Sequence, residues 1–355
     1  MNRENKKENF IKRICARIKE GLAGVWRAVK KFFYDISVAV HNALHRTKPK
    51  KTRSMGARKR GEILFLTCLL AYPIAIFFIG YVYVNVNSIL LTFQTYDIDA
   101  GVFHWSGFDN VKKVITDIVS DPVISPMFVR SLISYVIRMA VGFPLNIIFA
   151  FVIYKKIPFA GFFQVILFLP SIISSMVVTL MFKNFVDYIV PAVYEALGIA
   201  NPPNLLFDYN TAFGMQNFYT IWVGFGSQLI LYSGAMSRIP DSIVEFGELE
   251  GITMLKEFWH VTIPMIWQTI TIFLVTGVAT IFTGQLALFN FYGTNAPTEI
   301  QTIGYYFFQK VVGDSATFAD YPYAAAGGLL FTLVAAPVTL LARWLLEKFG
   351  PNVEF

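Results

Sequence analysis

The sequence predicts an all-α integral membrane protein, and two observations support that prediction. Hydrophobic residues make up 55 % of the 355 residues and charged residues only 15 %, against about a quarter in an ordinary soluble domain. Six apolar runs follow the N-terminal region, each near the ~20 residues that a helix needs to cross a bilayer. We therefore expect six transmembrane helices, at about 63–86, 128–154, 163–182, 217–237, 264–289 and 323–346.

The N-terminal region differs from the rest of the chain in its charge. Residues 1–61 carry 18 of the 30 Lys and Arg and only four Asp and Glu. Between 9 and 40, apolar residues recur every three or four positions, which predicts a basic amphipathic helix. Such a helix can lie on an anionic membrane surface or pack on a partner subunit, or the segment can remain a disordered basic tail. The expected division is this helix and a polar tether at 1–60, then a six-span membrane domain at 61–355.

The distribution of charge also predicts the orientation of the spans. Basic residues before the first span favour a cytoplasmic N-terminus, and an even number of spans returns the C-terminus to the same side. The connections expected outside contain eleven Asp and Glu but only four Lys: 87–127, 183–216 and 290–322. The segments expected inside are Lys155 and Lys156, 239–263 and the tail after Arg343. The first apolar run is long enough to remain as an anchor, so no signal peptide is expected.

Two arginines interrupt the second span. Arg130 lies near its end and can anchor it, whereas Arg138 lies near its middle, where charge is costly unless it is paired or wetted. Arg138 either lines a polar path or is a structural arginine bonded to backbone carbonyls. No acidic residue lies deep in another span, which disfavours a carrier coupled to protons or sodium.

A polar segment at 239–264, between two apolar runs, is predicted to form two short helices. Pro240 is placed for a helix start, and Ser242 followed by Glu245 fits a capping box. Gly251 predicts the end of the first helix in a left-handed turn.

The second helix of this segment is expected to open at Thr253 and to run to Pro264. Glu245, Glu248 and Glu250 form an acidic end on a cytoplasmic face with few other acids. A helix pair between membrane spans indicates attachment to something outside the membrane.

The same segment resembles the coupling motif of permeases of binding-protein-dependent ABC importers, which reads Glu-Ala-Ala, two residues, Asp-Gly-Ala, then Phe, Ile and Leu-Pro. The matching positions are Glu245, Glu250, Gly251, Phe258, Val261, Ile263 and Pro264. The family's pattern is altered at four positions: Phe246 and Gly247 replace two alanines, Glu250 replaces Asp, and Ile252 replaces the third Ala. Further likeness to carbohydrate permeases related to the maltose permease lies at 106–110, 169–171 and 295–297.

This resemblance covers roughly residues 62–350 and implies the type I ABC importer permease fold. It implies uptake of a carbohydrate, expected to be an oligosaccharide, across the bacterial plasma membrane, where the chain contacts lipid. The implied partners are a dimer of an ATP-binding ABC ATPase, a second related permease and an extracytoplasmic solute-binding protein. The expected ATPase-coupling residues are Glu245, Gly247, Glu248, Glu250, Gly251, Phe258 and Pro264, with Glu245 pairing with a basic residue of the ATPase.

Polar groups in the middle of the spans are candidates for substrate contact, because a sugar needs hydrogen bonds and flat apolar faces. Gln228, Thr283 and Gln285 are such groups, although glutamines also bond across helix interfaces. The resemblance places Gly224, Ser227 and Gln285 on or beside the sugar site. The expected substrate path is thus Gly224, Ser227, Gln228, Thr283, Gln285 and Arg138.

The sequence predicts no catalytic chemistry and no cofactor. It has no Walker loop, so ATP hydrolysis is expected in a separate subunit. Its four histidines and two cysteines have no metal-ligand spacing, and no serine lies in a nucleophile elbow. No nucleic-acid partner is expected. The alternatives are a stand-alone secondary carrier or channel for a small polar solute, and a membrane-anchored interaction protein organised by the N-terminal helix.

Overall fold

The computed structural model describes residues 55–199 and 203–351, with side chains from residue 65 onward. The amphipathic helix predicted at 9–40 lies outside the described residues, as does most of the predicted tether. Residues 55–60, the end of that tether, begin helix α1 at Met55–Ile76. The chain divides into one compact unit ending at Phe77 and a second beginning at Phe78.

In the first unit the described part is α1, whose apolar side chains include exposed Phe65, Leu69 and Tyr72. Pro73 lies inside this helix. A helix that is apolar and exposed along its length is typical of a surface that faces lipid.

The second unit consists of helices, one hairpin and irregular connections. Phe77–Tyr83 is π-helical and leads into α2 at Val84–Thr92. Strands β1 at Gln94–Asp97 and β2 at Val102–Trp105 pair antiparallel. The further helices are α3 Asp109–Ser120, α4 Ile124–Ile137, α5 Phe143–Tyr154, α6 Ala160–Ile172, α7 Ser175–Asn184, α8 Val190–Ala196, α9 Ala212–Met236, α10 Asp241–Leu249, α11 Met254–Glu257, α12 Ile263–Met265, α13 Trp267–Ala279, α14 Leu288–Tyr292, α15 Ile303–Val312 and α16 Asp320–Phe349.

Four helical stretches of the described chain are long and apolar enough to cross a membrane, and a bent helix pair raises the number to five. The four are Phe65–Thr92, Ile124–Tyr154, Ser175–Ala196 and Asp320–Phe349, and the pair is Met254–Met265 with Trp267–Ala279. The chain is therefore a mostly helical, multi-pass membrane protein.

Three of the predicted spans differ from these helices, and the stretch Ser175–Ala196 extends into the 183–216 connection predicted to lie outside. The apolar run at 163–182 is broken between α6 and α7, where Ile173 and Ser174 have extended backbone. Pro170 shortly before the break has no N–H for a helical hydrogen bond. The run at 217–237 lies within α9, which is long enough to cross but is less apolar than the four, with Gln216, Asn217 and Gln228 on it.

The helix expected over 264–289 ends at Ala279. Residues 280–287 are irregular, and Leu286 and Ala287 have φ of 51° and 57°, a left-handed conformation that an α-helix cannot contain. The Thr280 hydroxyl donates to the carbonyls of Thr276 and Gly277 at 3.1 Å. Thr283 and Gln285 consequently lie on an irregular segment rather than on a helix.

Helix α9 is central to the packing. At Gly226 an added Cβ would lie 2.5 Å from the Leu167 carbonyl oxygen of α6, so only glycine permits this close crossing. Further along, α9 enters a buried core cluster with α5 and the 239–266 segment. Its buried members are Ile147, Ala150, Phe151, Tyr232, Met236, Ile239, Phe258, Ile266 and Ile270.

Candidate functional site

The first helix of the polar segment, α10, begins directly after Pro240, as predicted. The predicted capping box is wrong: Ser242 is the second residue of the helix, and no side chain caps its N-terminus. Glu245 is therefore not held in a capping interaction, and its side chain is exposed. A purely local role for this carboxylate has no support in the geometry.

The end of α10 is a Schellman cap. Gly251 has a φ of 71°, which confirms the predicted left-handed turn. The Ile252 N–H donates to the Gly247 carbonyl at 3.0 Å, and the Gly251 N–H donates to the Glu248 carbonyl at 3.0 Å. Gly247 is buried, and Ile252 lies over it, so that a Cβ there would lie 3.6 Å from Ile252 Cδ1. The turn fixes the direction of the second helix.

The second helix opens after Thr253, as predicted, and its helical path continues through the π-helical stretch Phe258–Thr262 to α12. A break at Ile266 then bends the chain by 72° into α13. Pro264 precedes this break and cannot donate a backbone hydrogen bond. The bend turns the segment out of the direction of the following span.

Phe258 anchors the second helix in the core. It is 7 % exposed, and its ring centroid lies 5.0 Å from that of Phe151 on α5. Its position in the motif is thus explained by packing between the segment and the neighbouring helices.

An ion pair that sequence reasoning did not predict provides a second anchor. Lys155, in the turn after α5, places Nζ 2.7 Å from Glu257 Oε2 and 4.0 Å from Glu248 Oε1. The side chains of Lys155 and Glu257 are 19 % and 8 % exposed. The only signal in the sequence was the predicted topology, which put both residues on one side of the membrane.

The outer face of the polar segment carries both acidic and apolar side chains. Glu245, Glu248 and Glu250 are exposed. Large apolar side chains beside them are exposed as well, namely Phe246, Leu249, Leu255 and Trp259. Exposed apolar side chains rimmed by charge are typical of a surface that binds another protein.

A cavity of about 250 Å³ lies between the second helical span, α9 and α13. It brings together three of the predicted path residues, Arg138, Gly224 and Gln228. The Asn146 side chain donates from Nδ2 to Gln228 Oε1 at 2.9 Å. Gln228 therefore joins two helices and also lines the cavity, so both interpretations of this residue have a structural basis.

The other path residues lie elsewhere. Thr283 and Gln285 line a separate cavity of about 270 Å³, beside the stacked rings of Phe282 and Phe331, whose centroids are 4.8 Å apart. Ser227 lines neither cavity, and its hydroxyl donates to the Gly224 carbonyl at 3.2 Å.

The two arginines of the second span have different surroundings. Arg130 donates from Nη1 to the carbonyls of Thr298 at 2.8 Å and Gln301 at 3.4 Å, which is the arrangement expected of a structural arginine. Arg138 has no ion pair or hydrogen bond with any residue that the structure describes, and its Nε is buried.

Comparisons with known proteins agree on one class. No family model matches the chain. The multiple sugar-binding transport system permease protein MsmF of Streptococcus mutans is 27 % identical over 248 residues, 70 % of this chain and 83 % of that protein. The polygalacturonan/rhamnogalacturonan transport system permease protein YteP of Bacillus subtilis is 22 % identical over 311 residues, 85 % and 93 % of the two chains.

A solved structure shows the fold. A chain of the bacterial alginate ABC transporter, crystallised with its alginate pentasaccharide-bound periplasmic protein, superimposes with a TM-score of 0.68. It covers 84 % of this chain and 98 % of its own length at 20 % identity. The predicted resemblance is confirmed: the chain is a relative of sugar-transport permease proteins and has the fold of a bacterial ABC transporter permease.

Proposed function

We propose that this chain is a permease subunit of an ATP-driven importer that takes up a carbohydrate, expected to be an oligosaccharide. In this proposal it crosses the bacterial plasma membrane six times, with both termini in the cytoplasm. The observation that carries the proposal is the helix pair of the polar segment at 239–264. It presents exposed acidic and apolar side chains on one face and is anchored through Phe258 and the Lys155–Glu257 pair on the other.

The exposed face is the docking surface for a dimer of a separate ABC ATPase, which performs ATP hydrolysis. Glu245 pairs with a basic residue there, and Phe246 and Leu249 enter an apolar groove. Closure of the ATPase on ATP moves the docked helix as a lever, a rigid-body mechanism that switches packed helices between two arrangements. The Schellman cap at Gly251 keeps the two helices of the lever at a fixed angle.

The remaining partners are a second permease related to this one and an extracytoplasmic solute-binding protein. The names of the similar proteins support a carbohydrate substrate, since one refers to multiple sugars, one to polygalacturonan and one to alginate. The alginate transporter was crystallised with a periplasmic protein bound to a pentasaccharide, which supports delivery of an oligosaccharide from outside. The two cavities belong to the path that the sugar follows between the two permeases.

Co-purification from native membranes in mild detergent tests this proposal. The tagged wild-type chain should recover an ATP-binding subunit and a second permease. Glu245→Arg should lose the ATPase and ATP-driven sugar uptake, because it reverses the charge at the docking face. Glu195→Arg, at an exposed glutamate of α8, is the matched control and should keep both. Recovery of the wild-type chain alone and monodisperse would instead support a stand-alone carrier or channel.

A further inference from the structure

The cavity of about 250 Å³ contains a positive charge without a counter-charge. Its lining includes Arg138 and no acidic side chain. The guanidinium makes no ion pair and no hydrogen bond with any residue that the structure describes. An unpaired charge in a transmembrane span is costly and is usually retained for a function. Eight residues away, Arg130 shows how a structural arginine is satisfied in the same protein.

Other polar atoms of the same lining also lack partners. Asn146 Oδ1 and Tyr232 Oη are buried without a hydrogen bond to any described residue, and both residues line the cavity. Buried polar groups are normally satisfied. These two atoms and Arg138 Nε are themselves buried, so the group that the cavity offers to a ligand is the outer part of the guanidinium, its two Nη atoms, which bond to no described residue.

The backbone around Arg138 is also irregular. Arg138–Gly142 is a π-helical stretch within the span, and π-bulges frequently occur at functional sites. The guanidinium also lies beside Gly284, where an added Cβ would be 3.4 Å from Nη2. Arg138 thus reaches toward the segment that carries Thr283 and Gln285, between the two cavities.

We propose that this cavity binds the carboxylate of an acidic sugar, so that the imported carbohydrate contains uronate residues and Arg138 is its specificity-determining partner. This proposal rests on the function proposed above and narrows its substrate class. A guanidinium binds a carboxylate through two parallel charge-assisted hydrogen bonds. One unpaired arginine balances one negative charge, which fits a uronate better than a sugar phosphate of nearly two charges.

The rest of the lining suits the neutral part of a sugar. Gln228 offers its amide nitrogen, since its oxygen accepts from Asn146 Nδ2. Three threonines also line the cavity on α9 and α13 or at its end, namely Thr220, Thr276 and Thr280. Tyr135, Phe143 and Phe273 supply flat apolar surfaces. Pockets of this composition orient a ligand by a few polar groups within apolar walls.

Binding to the assembled importer in lipid nanodiscs, without its solute-binding protein, tests the proposal directly. The probes are trigalacturonate and the neutral trisaccharide maltotriose, with affinity measured by calorimetry at low and high salt. Trigalacturonate should bind at least about tenfold more tightly than maltotriose, and Arg138→Met should remove that preference, since a charge-assisted bond contributes about this much. Arg138→Lys should retain part of it, and high salt should reduce it.

Arg130→Met is the control for charge removal elsewhere in the span and should leave the preference unchanged. Equal affinity for both trisaccharides, or a preference that survives Arg138→Met, would overturn the proposal while leaving a carbohydrate importer intact. A carboxylate of the second permease found paired with Arg138 would overturn it as well. Failure to recover any ATPase partner would instead refute the proposed function, and the acidic-sugar proposal with it.

Discussion

Replacing Lys155 by methionine isolates the ion pair that anchors the polar segment at 239–264. Lys155 Nζ and Glu257 Oε2 are 2.7 Å apart, and the two side chains are 19 % and 8 % exposed. At this distance two unit charges attract by about 6 kcal/mol with an effective dielectric constant of about 20. Most of that attraction is offset by the desolvation of both groups, so the net value of the intact pair is small.

Removing one partner is different, because it leaves a charge buried with nothing to balance it. Such changes cost about 3–5 kcal/mol, and Lys155→Met belongs in this range because the Glu257 side chain that it leaves behind is only 8 % exposed. Glu257→Leu should cost less, since the lysine that remains is the more exposed partner. The double variant Lys155→Met/Glu257→Leu removes both charges and should recover most of the stability.

The assay is a double-mutant cycle on the importer assembled in nanodiscs. It records the thermal unfolding midpoint of the complex and, in proteoliposomes, the number of ATP molecules hydrolysed per sugar imported. Lys155→Met should lower the midpoint and raise that number, because the segment then moves without moving the spans. Lys112→Met is the control: its pair with Asp109 is 3.7 Å long and more than 70 % exposed, and such surface pairs contribute little. Additive effects of the two single substitutions, with no recovery in the double variant, would refute the reasoning.

Three further predictions concern the backbone at Gly251 and Gly226 and the side chain of Arg130. Gly251→Ala places a side chain at a φ of 71° and should destabilise the turn by about 1–2 kcal/mol, measured as weaker retention of the ATPase on a tagged column. Gly226→Val should prevent recovery of folded protein, since a Cβ there would lie 2.5 Å from the Leu167 carbonyl oxygen. Gly224→Val is the control and should be recovered normally, because a Cβ at Gly224 has no atom within 4 Å. Arg130→Met leaves two carbonyls of the 298–301 loop without a donor. It should reduce the free energy of unfolding by about 1–3 kcal/mol, measured as a lower thermal unfolding midpoint.

Local chemistry made much of the polar segment predictable from the sequence. The left-handed turn at Gly251 and the helix starts after Pro240 and Thr253 follow from the preferences of single residues, and the structure shows all three. The capping box failed because the helix begins at Asp241, one residue before the predicted cap. With Pro240 directly before the first helical residue, Ser242 lies inside the first turn, where its hydroxyl is not at the capping position.

Features that depend on tertiary contacts could not be predicted in the same way. Hydropathy shows where a chain is apolar, but not where a helix breaks, so the irregular stretch at 280–287 falls entirely inside the span predicted at 264–289. The same limit hid the separation of Thr283 and Gln285 from Arg138 and Gln228 into different cavities. The Lys155–Glu257 pair joins residues 102 positions apart, and single-sequence reasoning has no signal for a pairing of that range.

The cavity shares Tyr232 with the core cluster that holds Phe258 of the polar segment, and this bears on how a movement of the segment could reach the cavity. Tyr232 lines the cavity and belongs to the core cluster that holds Phe258. On α5, Asn146 lines the cavity while the adjacent Ile147 lies in that cluster. Because close-packed cores shift between discrete arrangements rather than deforming gradually, a displacement of Phe258 must be accommodated by the two helices that carry the cavity wall. In the proposed importer, a movement of the polar segment would therefore reach the cavity wall through Tyr232 and through Ile147, the neighbour of Asn146.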